Sequence, residues 1–282
     1  MNLTPANTAQ IDYWNAHVGR TWAEHHEALD RQIQPLGNAA LEALAPVSGE
    51  RILDIGCGCG ETTLALGQRV GPDGMVEGID VSGPMLEIAR RRPTLPKSST
   101  VTFRQADAQT EQFALGGYDA FYSRFGVMFF EDPVAAFTNL RLAIKPGGRF
   151  AFVCWRPLED NPWMVEPLAA AQPYLPPRVL GDPMGPGPFA FANPERLTAV
   201  LTQAGWDSIR LTRFDTRIGA GDVDAALELA LRVGPLGSGL RESPHLVPVV
   251  APLVREVLSR YLPPDGVRMP ASVWIVQGQN PL

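Results

Sequence analysis

The sequence has no apolar run approaching the ~18 residues that a membrane-spanning helix needs. Met1 to Gln10 is polar and lacks an apolar h-region, so a secretory signal is not expected. Cysteine is scarce. Cys57, Cys59 and Cys154 are the only three, an odd set that argues against a disulfide framework and fits a reducing cytoplasm. Cys57-x-Cys59 has no second pair at the spacing of a structural zinc site, and no acidic cluster suggests Mg²⁺, so no metal is expected. Lysine is confined to Lys97 and Lys145. Arginine carries almost all the positive charge, a usage typical of GC-rich bacterial genomes. The net charge is −6. The one dense basic run, Arg90-Arg91-Arg92, falls before Pro93 where a helix should end. Cations there favour the helix dipole, and phosphate binding is the alternative.

What remains is ordinary globular composition, 45% hydrophobic and 19% charged, enough for a sizeable core. Residues 10 to 46 carry Trp14, Trp22, Leu29, Ile33, Leu36, Leu41 and Leu44 near helical period, punctuated by Pro35, Gly37 and Pro46. From Arg51 to Trp155 short apolar runs alternate with helical segments. The runs begin at Arg51, Met75, Val101, Tyr118 and Arg149, and Ser82 and Asp132-Pro133 are helix starts. That alternation specifies an α/β fold, a parallel sheet with helices on both faces. A proline-rich stretch follows, with Pro157, Pro162, Pro167, Pro173, Pro176, Pro177, Pro183, Pro186 and Pro188. It is too long for an ordinary loop. A helix from Asn193-Pro194, a strand over 209–217, helices near 222–233 and 246–261, and a last strand over 273–276 complete the chain.

The chemistry concentrates at Asp54-Ile55-Gly56-Cys57-Gly58-Cys59-Gly60. Three alternating glycines between a strand and a helix let the backbone approach a ligand closely, at a helix N-terminus that favours negative charge. A purely structural turn is the other reading of such a loop. Asp80 ends the next strand, twenty residues after Gly60, where a carboxylate can accept both hydroxyls of a ribose. Alternatively it only caps the following helix.

The loop reads G-x-G-x-G, whereas dinucleotide dehydrogenases use G-x-G-x-x-G. With Leu53 and Asp54 before it, the loop resembles the first motif of class I S-adenosylmethionine (SAM) dependent methyltransferases. The resemblance continues in order through Asp80, Asp107-Ala108, Phe121-Tyr122-Ser123 and Ile144-Lys145-Pro146-Gly147-Gly148-Arg149. It is good over residues 48 to 157. Ser123-Arg124-Phe125-Gly126-Val127-Met128-Phe129-Phe130 and Tyr13-Trp14-Asn15 are similar to a small-molecule subgroup.

The resemblance implies a Rossmann-like seven-stranded sheet, mainly parallel with the last strand antiparallel, in a single domain over 1–282. Residues 1–47 would be a helical lid and 48–157 the cofactor core, with substrate-side insertions at 158–191 and 220–268. SAM is the implied cofactor, with Asp80 on the ribose and Asp107-Ala108 on the adenine. The cofactor set it implies is Trp22, Asp54, Gly56, Cys57, Gly58, Gly60, Asp80, Val81, Met85, Asp107, Ala108 and Ser123.

Trp155, Arg156 and Trp163 lie just past the fifth strand and are candidates to line an acceptor pocket, or else simply pack the insertion. His25 and His26 are candidate bases, because imidazole has the right pKa. A solvated helix face is the plainer reading. The Asn/Asp-Pro-Pro-Tyr/Phe motif shared by nucleobase amino-methylating enzymes is absent after strand four. With the acidic charge, that disfavours nucleic acid as substrate, and the expected function is methyl transfer to a small organic acceptor, at oxygen rather than nitrogen or carbon. A nicotinamide-dependent oxidoreductase and a non-catalytic SAM-binding protein are the rival functions.

Overall fold

The computed structural model describes residues 6–93, 99–177, 185–219, 221–264 and 266–282. Lys97 and Pro183, named above, lie outside the described residues, as do parts of both expected insertions. Seven strands form one sheet: β1 Arg51–Ile55, β2 Met75–Asp80, β3 Thr100–Gln105, β4 Tyr118–Arg124, β5 Ile144–Trp155, β6 Asp207–Ile218 and β7 Met269–Gln279. Their order is β3-β2-β1-β4-β5-β7-β6. The first five run parallel, and β7 is antiparallel to both neighbours.

Helices cover both faces, because successive side chains of a buried strand point opposite ways. On β4, Phe121 packs on Phe137 of α6 Pro133–Ala143. Its neighbour Tyr122 points to the other face, where its hydroxyl donates to the Gly37 carbonyl of α3 His26–Leu44 at 2.9 Å. Gly37 has no Cβ because Arg124 Cδ would lie 2.8 Å from it. Neither Pro35 nor Gly37 interrupts α3, contrary to the sequence expectation. Ile33, Leu36, Ala40, Leu41 and Leu44 bury one stripe of α3 against the sheet, and Leu29 packs on Leu229. That tertiary burial outweighs the local penalty of the two residues. α4 Glu61–Val70 follows the glycine loop, α5 Gly83–Arg91 follows β2, and α8 Pro194–Gln203 packs beside α6. Ser82 and Asp132 cap α5 and α6 as expected, accepting from Met85 and Ala135 backbone amides. Arg90 and Arg91 do occupy the last turn of α5, and Arg92 pairs with Asp30.

The N-terminal lid consists of α1 Thr8–Asn15 and α2 His17–Glu24, broken from each other at Ala16 and from α3 at His25. The two stretches expected as insertions fold together. They supply α7 Pro162–Ala171, α9 Val223–Arg232, α10 Gly234–Glu242 and α11 Val247–Ser259, which share an apolar cluster around Leu236, Leu240, Val250 and Val254. α10 was not foreseen, since Gly234, Gly237 and Gly239 lower its intrinsic propensity. Packing decides it: a Cβ on Gly237 would lie 2.3 Å from the Arg232 carbonyl carbon.

Candidate functional site

A cavity of about 450 Å³ opens over the carboxyl ends of β1 to β5, at the point where strand order reverses between β1 and β4. Its volume is that of a small-ligand site. Ile55 and Gly56 line it from β1, Asp80 and Val81 from β2, Asp107 and Ala108 from the turn after β3, Arg124 to Gly126 from β4, and Trp155 from β5.

The glycine loop is built for close approach. Gly56, Gly58 and Gly60 have φ of +65°, +54° and +82°, a region that L side chains rarely adopt. A Cβ on Gly56 would lie 2.6 Å from Gly126 Cα, so Gly56 lets the loop after β4 close against β1. The Gly58 amide donates to Asp80 Oδ2 at 2.8 Å, while Asp80 Oδ1 accepts from the Ser82 amide at 2.8 Å. Asp80 therefore does brace the start of α5, and it also lines the cavity. Burial raises its carboxyl above the ordinary range, and those backbone amides work against the rise.

Asp54 sits fully buried beneath the loop. Oδ2 accepts from Thr62 and Thr63 hydroxyls at 2.8 and 2.7 Å, and Oδ1 has no partner among the described residues. Burial pushes its carboxyl up to about 6, with the two threonines lowering it in part. An unpartnered buried carboxylate oxygen under a glycine cradle fits a ligand that carries positive charge.

Asp107 Oδ1 accepts from the Asn7 side-chain amide at 3.1 Å and from the Gln109 amide at 3.0 Å. Asn7 is buried, and its own Oδ1 and Gln10 Oε1 have no partners among the described residues although both residues line the cavity. The lid is stapled to the turn after β2. The Ser82 hydroxyl donates to the Trp14 carbonyl at 2.8 Å, Asn15 Nδ2 to the Val81 carbonyl at 2.8 Å, and the Gly83 amide to Asn15 Oδ1 at 2.9 Å. Trp14 meets Trp22 and Phe129 edge-on at 5.8 and 5.0 Å, closing an aromatic roof.

Arg124, at the end of β4, is held by Asp30 and Glu61 at 2.8 Å each. Burial opposes its charge, but the two carboxylates outweigh burial and raise its pKa. The other end of the cavity is aromatic. Phe125 stacks on Trp155 with centroids 4.3 Å apart, and Trp163 lies 5.2 Å beyond.

Of the expected site residues, Trp22, Gly56, Asp80, Val81, Met85, Asp107, Ala108, Trp155 and Trp163 line the cavity. Others do not reach it. Ser123 is fully buried, and its hydroxyl donates to the Ile55 carbonyl at 2.7 Å and accepts from Gly126, so it ties β1 to the β4 turn. Cys57 is buried beneath the loop, its thiol against Gly78, with burial raising its pKa. Gly58, Gly60 and Asp54 act from below the lining. Arg156 turns to the outer face, paired with Asp160 and Asp215 at 2.7 and 2.8 Å and set over Trp274.

His25 Nδ1 lies 3.8 Å from Glu228 of α9, and His26 Nδ1 meets the Ala23 carbonyl at 2.8 Å. Neither histidine faces the cavity, because each serves the break between α2 and α3. Asn7, Gln10, Arg124, Arg232 and Arg241 line it without having been singled out from the sequence. Only Arg124, inside the Ser123–Phe130 resemblance, carried a signal. Among the described residues no three His, Cys, Asp or Glu side chains gather as metal ligands. No helix there is long and apolar enough to cross a membrane.

Residues 52–148 match the family model described as a methyltransferase domain. Aklanonic acid methyltransferase of Streptomyces sp. (strain C5) is 35% identical over 118 residues, 42% of this chain and 54% of that protein. A demethylmenaquinone methyltransferase of Lactococcus lactis is 32% identical over 109 residues, 39% of this chain and 43% of that protein. The chain thus spans about half the length of these two curated relatives. Nocamycin O-methyltransferase of Saccharothrix syringae is 26% identical over 202 residues, covering 68% of this chain and 71% of that protein. In fold, the chain is similar to Haemonchus contortus phosphoethanolamine N-methyltransferase 2 in complex with SAM. The TM-score is 0.58 at 17% identity, over 99% of this chain and 61% of that one.

Proposed function

We propose that this chain is a class I SAM-dependent methyltransferase and that it moves the methyl group of SAM to a small organic acceptor, at oxygen, a reading supported by the methyltransferase-domain match over residues 52–148 and by the curated relatives. The observation that carries this reading is one cavity with two unlike halves. Gly56, Asp80 and Asp107 line the first, and Phe125, Trp155 and Trp163 the second.

SAM, when bound, supplies a methyl already activated on a sulfonium, so the protein need only align, enclose and dry the reacting groups. Asp80, in the cavity lining, would accept from ribose hydroxyls. Asp107 and the Ala108 backbone serve the adenine edge, and Asp54 offsets the positive charge. The Trp14–Trp22–Phe129 roof excludes water above them.

No histidine lines the cavity among the described residues, and its only lining carboxylates, Asp80 and Asp107, lie in the cofactor half. With no base beside it, the acceptor oxygen is one that is ionised near neutral pH, a carboxylate or an acidic enol or phenol. The net charge of −6 supports a small molecule over nucleic acid. Three buried free cysteines support a reducing, cytoplasmic setting.

The test is turnover with SAM against a panel of carboxylic acids, phenols and matched amines, read by mass spectrometry. Methyl esters or ethers are expected. Exclusive N-methylation would overturn the choice of oxygen, and absence of any transfer across the panel counts against catalysis.

A further inference from the structure

Two arginines, one exposed and one half-buried, line the cavity with no ion-pair partner among the described residues. Arg232 ends α9 and Arg241 lies in the last turn of α10, and both line the cavity. Neither forms an ion pair or hydrogen bond with any described residue. The contrast with their neighbours is sharp. Arg124 is held by Asp30 and Glu61, and Arg156 by Asp160 and Asp215. In a chain of net charge −6, carboxylates to pair with are not scarce. Nearby, the Trp163 indole N–H is buried without an acceptor among the described residues, while its ring packs on Trp155. An unpaired buried donor costs free energy that a ligand oxygen would recover. The surfaces between these groups are apolar and aromatic.

We propose that the acceptor is an amphiphilic organic anion, its flat apolar body against Trp155 and Trp163 and its anionic group held by Arg232 and Arg241. This rests on the methyl-transfer reading above and names the substrate class for the same cavity. Guanidinium suits such an anion because its planar fork matches a carboxylate or sulfonate. The aromatic pair supplies area, the arginines supply register, and binding to these non-reacting parts positions the acceptor. The plainer alternative is that both arginines only complement the helix dipoles at two helix ends.

The experiment uses two fluorescent probes of the same shape, 1-anilinonaphthalene-8-sulfonate and its uncharged parent N-phenyl-1-naphthylamine. Each is titrated into the full chain saturated with S-adenosylhomocysteine, whose own binding is measured first by calorimetry. The sulfonate should bind about tenfold more tightly than the neutral parent, as expected for one or two charge-assisted hydrogen bonds. The double variant Arg232→Gln, Arg241→Gln should lose that preference, with the neutral probe unaffected. Arg232→Lys, Arg241→Lys should recover most of it. Thermal melts of all three proteins check folding, and the neutral probe reports that the apolar wall is intact. Equal binding of the two probes, or a preference that survives the glutamine pair, overturns the anionic acceptor while leaving methyl transfer standing. Failure of S-adenosylhomocysteine to bind overturns the methyl-transfer reading itself, and the proposal with it.

Discussion

The side-chain amide of Asn7 donates to Asp107 Oδ1 at 3.1 Å, joining the chain's first helical turn to the end of the third strand's loop. Asp107 also accepts from Gln109 and Thr110, so a fourth lone pair remains for a ligand amine. Asn7 thus holds the lid on the Asp107 side of the cavity, where the proposed reading puts the adenine. Asn7→Ala should weaken SAM binding by about three- to tenfold, the net worth of one ordinary hydrogen bond in holding the lid. Calorimetry checks this. Tighter binding instead would mean that Asn7 occupies the ligand's own place.

Asp80 is the residue whose loss should cost most in affinity. Asp80→Ala removes the acceptor for the Gly58 and Ser82 amides and, on the proposed reading, for the ribose as well. SAM affinity should fall at least about tenfold, while Asp80→Glu recovers little because the longer side chain displaces the loop. Gly56→Ala should act differently. Its positive φ and the 2.6 Å approach to Gly126 Cα make it a folding lesion as well, visible as a lowered Tm.

Asp54 gives a pH signature. Burial raises its carboxyl to about 6, so the folded protein holds that proton more tightly than the unfolded chain does. Its contribution to stability is therefore fully present below the ordinary carboxylate range and is lost as pH rises through about 6. A cationic ligand reverses the preference, since an ammonium or sulfonium favours the ionised form. SAM affinity should rise from about pH 5 to about pH 7 with a midpoint near 6. Asp80, also raised by burial, adds in the same direction. Asp54→Asn should flatten the curve without abolishing it. An unchanged profile in that variant would remove Asp54 from the account.

His25 and His26 face Glu228 and the Ala23 carbonyl, away from the cavity. Replacing either with alanine should leave kcat within about twofold, against the 10²–10⁴-fold loss expected of a general base. Trp22→Ala should weaken SAM binding, since that ring lines the cavity and packs on Trp14. A large kcat loss in a histidine variant with normal SAM affinity would restore the base.

The sheet and the glycine-loop half of the cavity were legible because their signals are local. A strand, three alternating glycines and a carboxylate twenty residues on are read along the chain, and β1–β5 stand within a few residues of their expected places. The misreadings share one cause, side-chain direction. Ser123 and Arg156 sit at the right strand ends, yet Ser123 Oγ spans to Ile55 and Arg156 turns out to Asp215. Asn7, Arg232 and Arg241 were invisible because no motif surrounds them. They reach the cavity only once α1 folds over Asp107 and α9–α10 fold against α7.

The most direct test of the central claim is a calorimetric titration of the chain with SAM and, separately, with NADPH. The account predicts one SAM per chain, at least about tenfold weaker in Asp80→Ala, and no heat with NADPH. Saturable NADPH binding with none for SAM would contradict it.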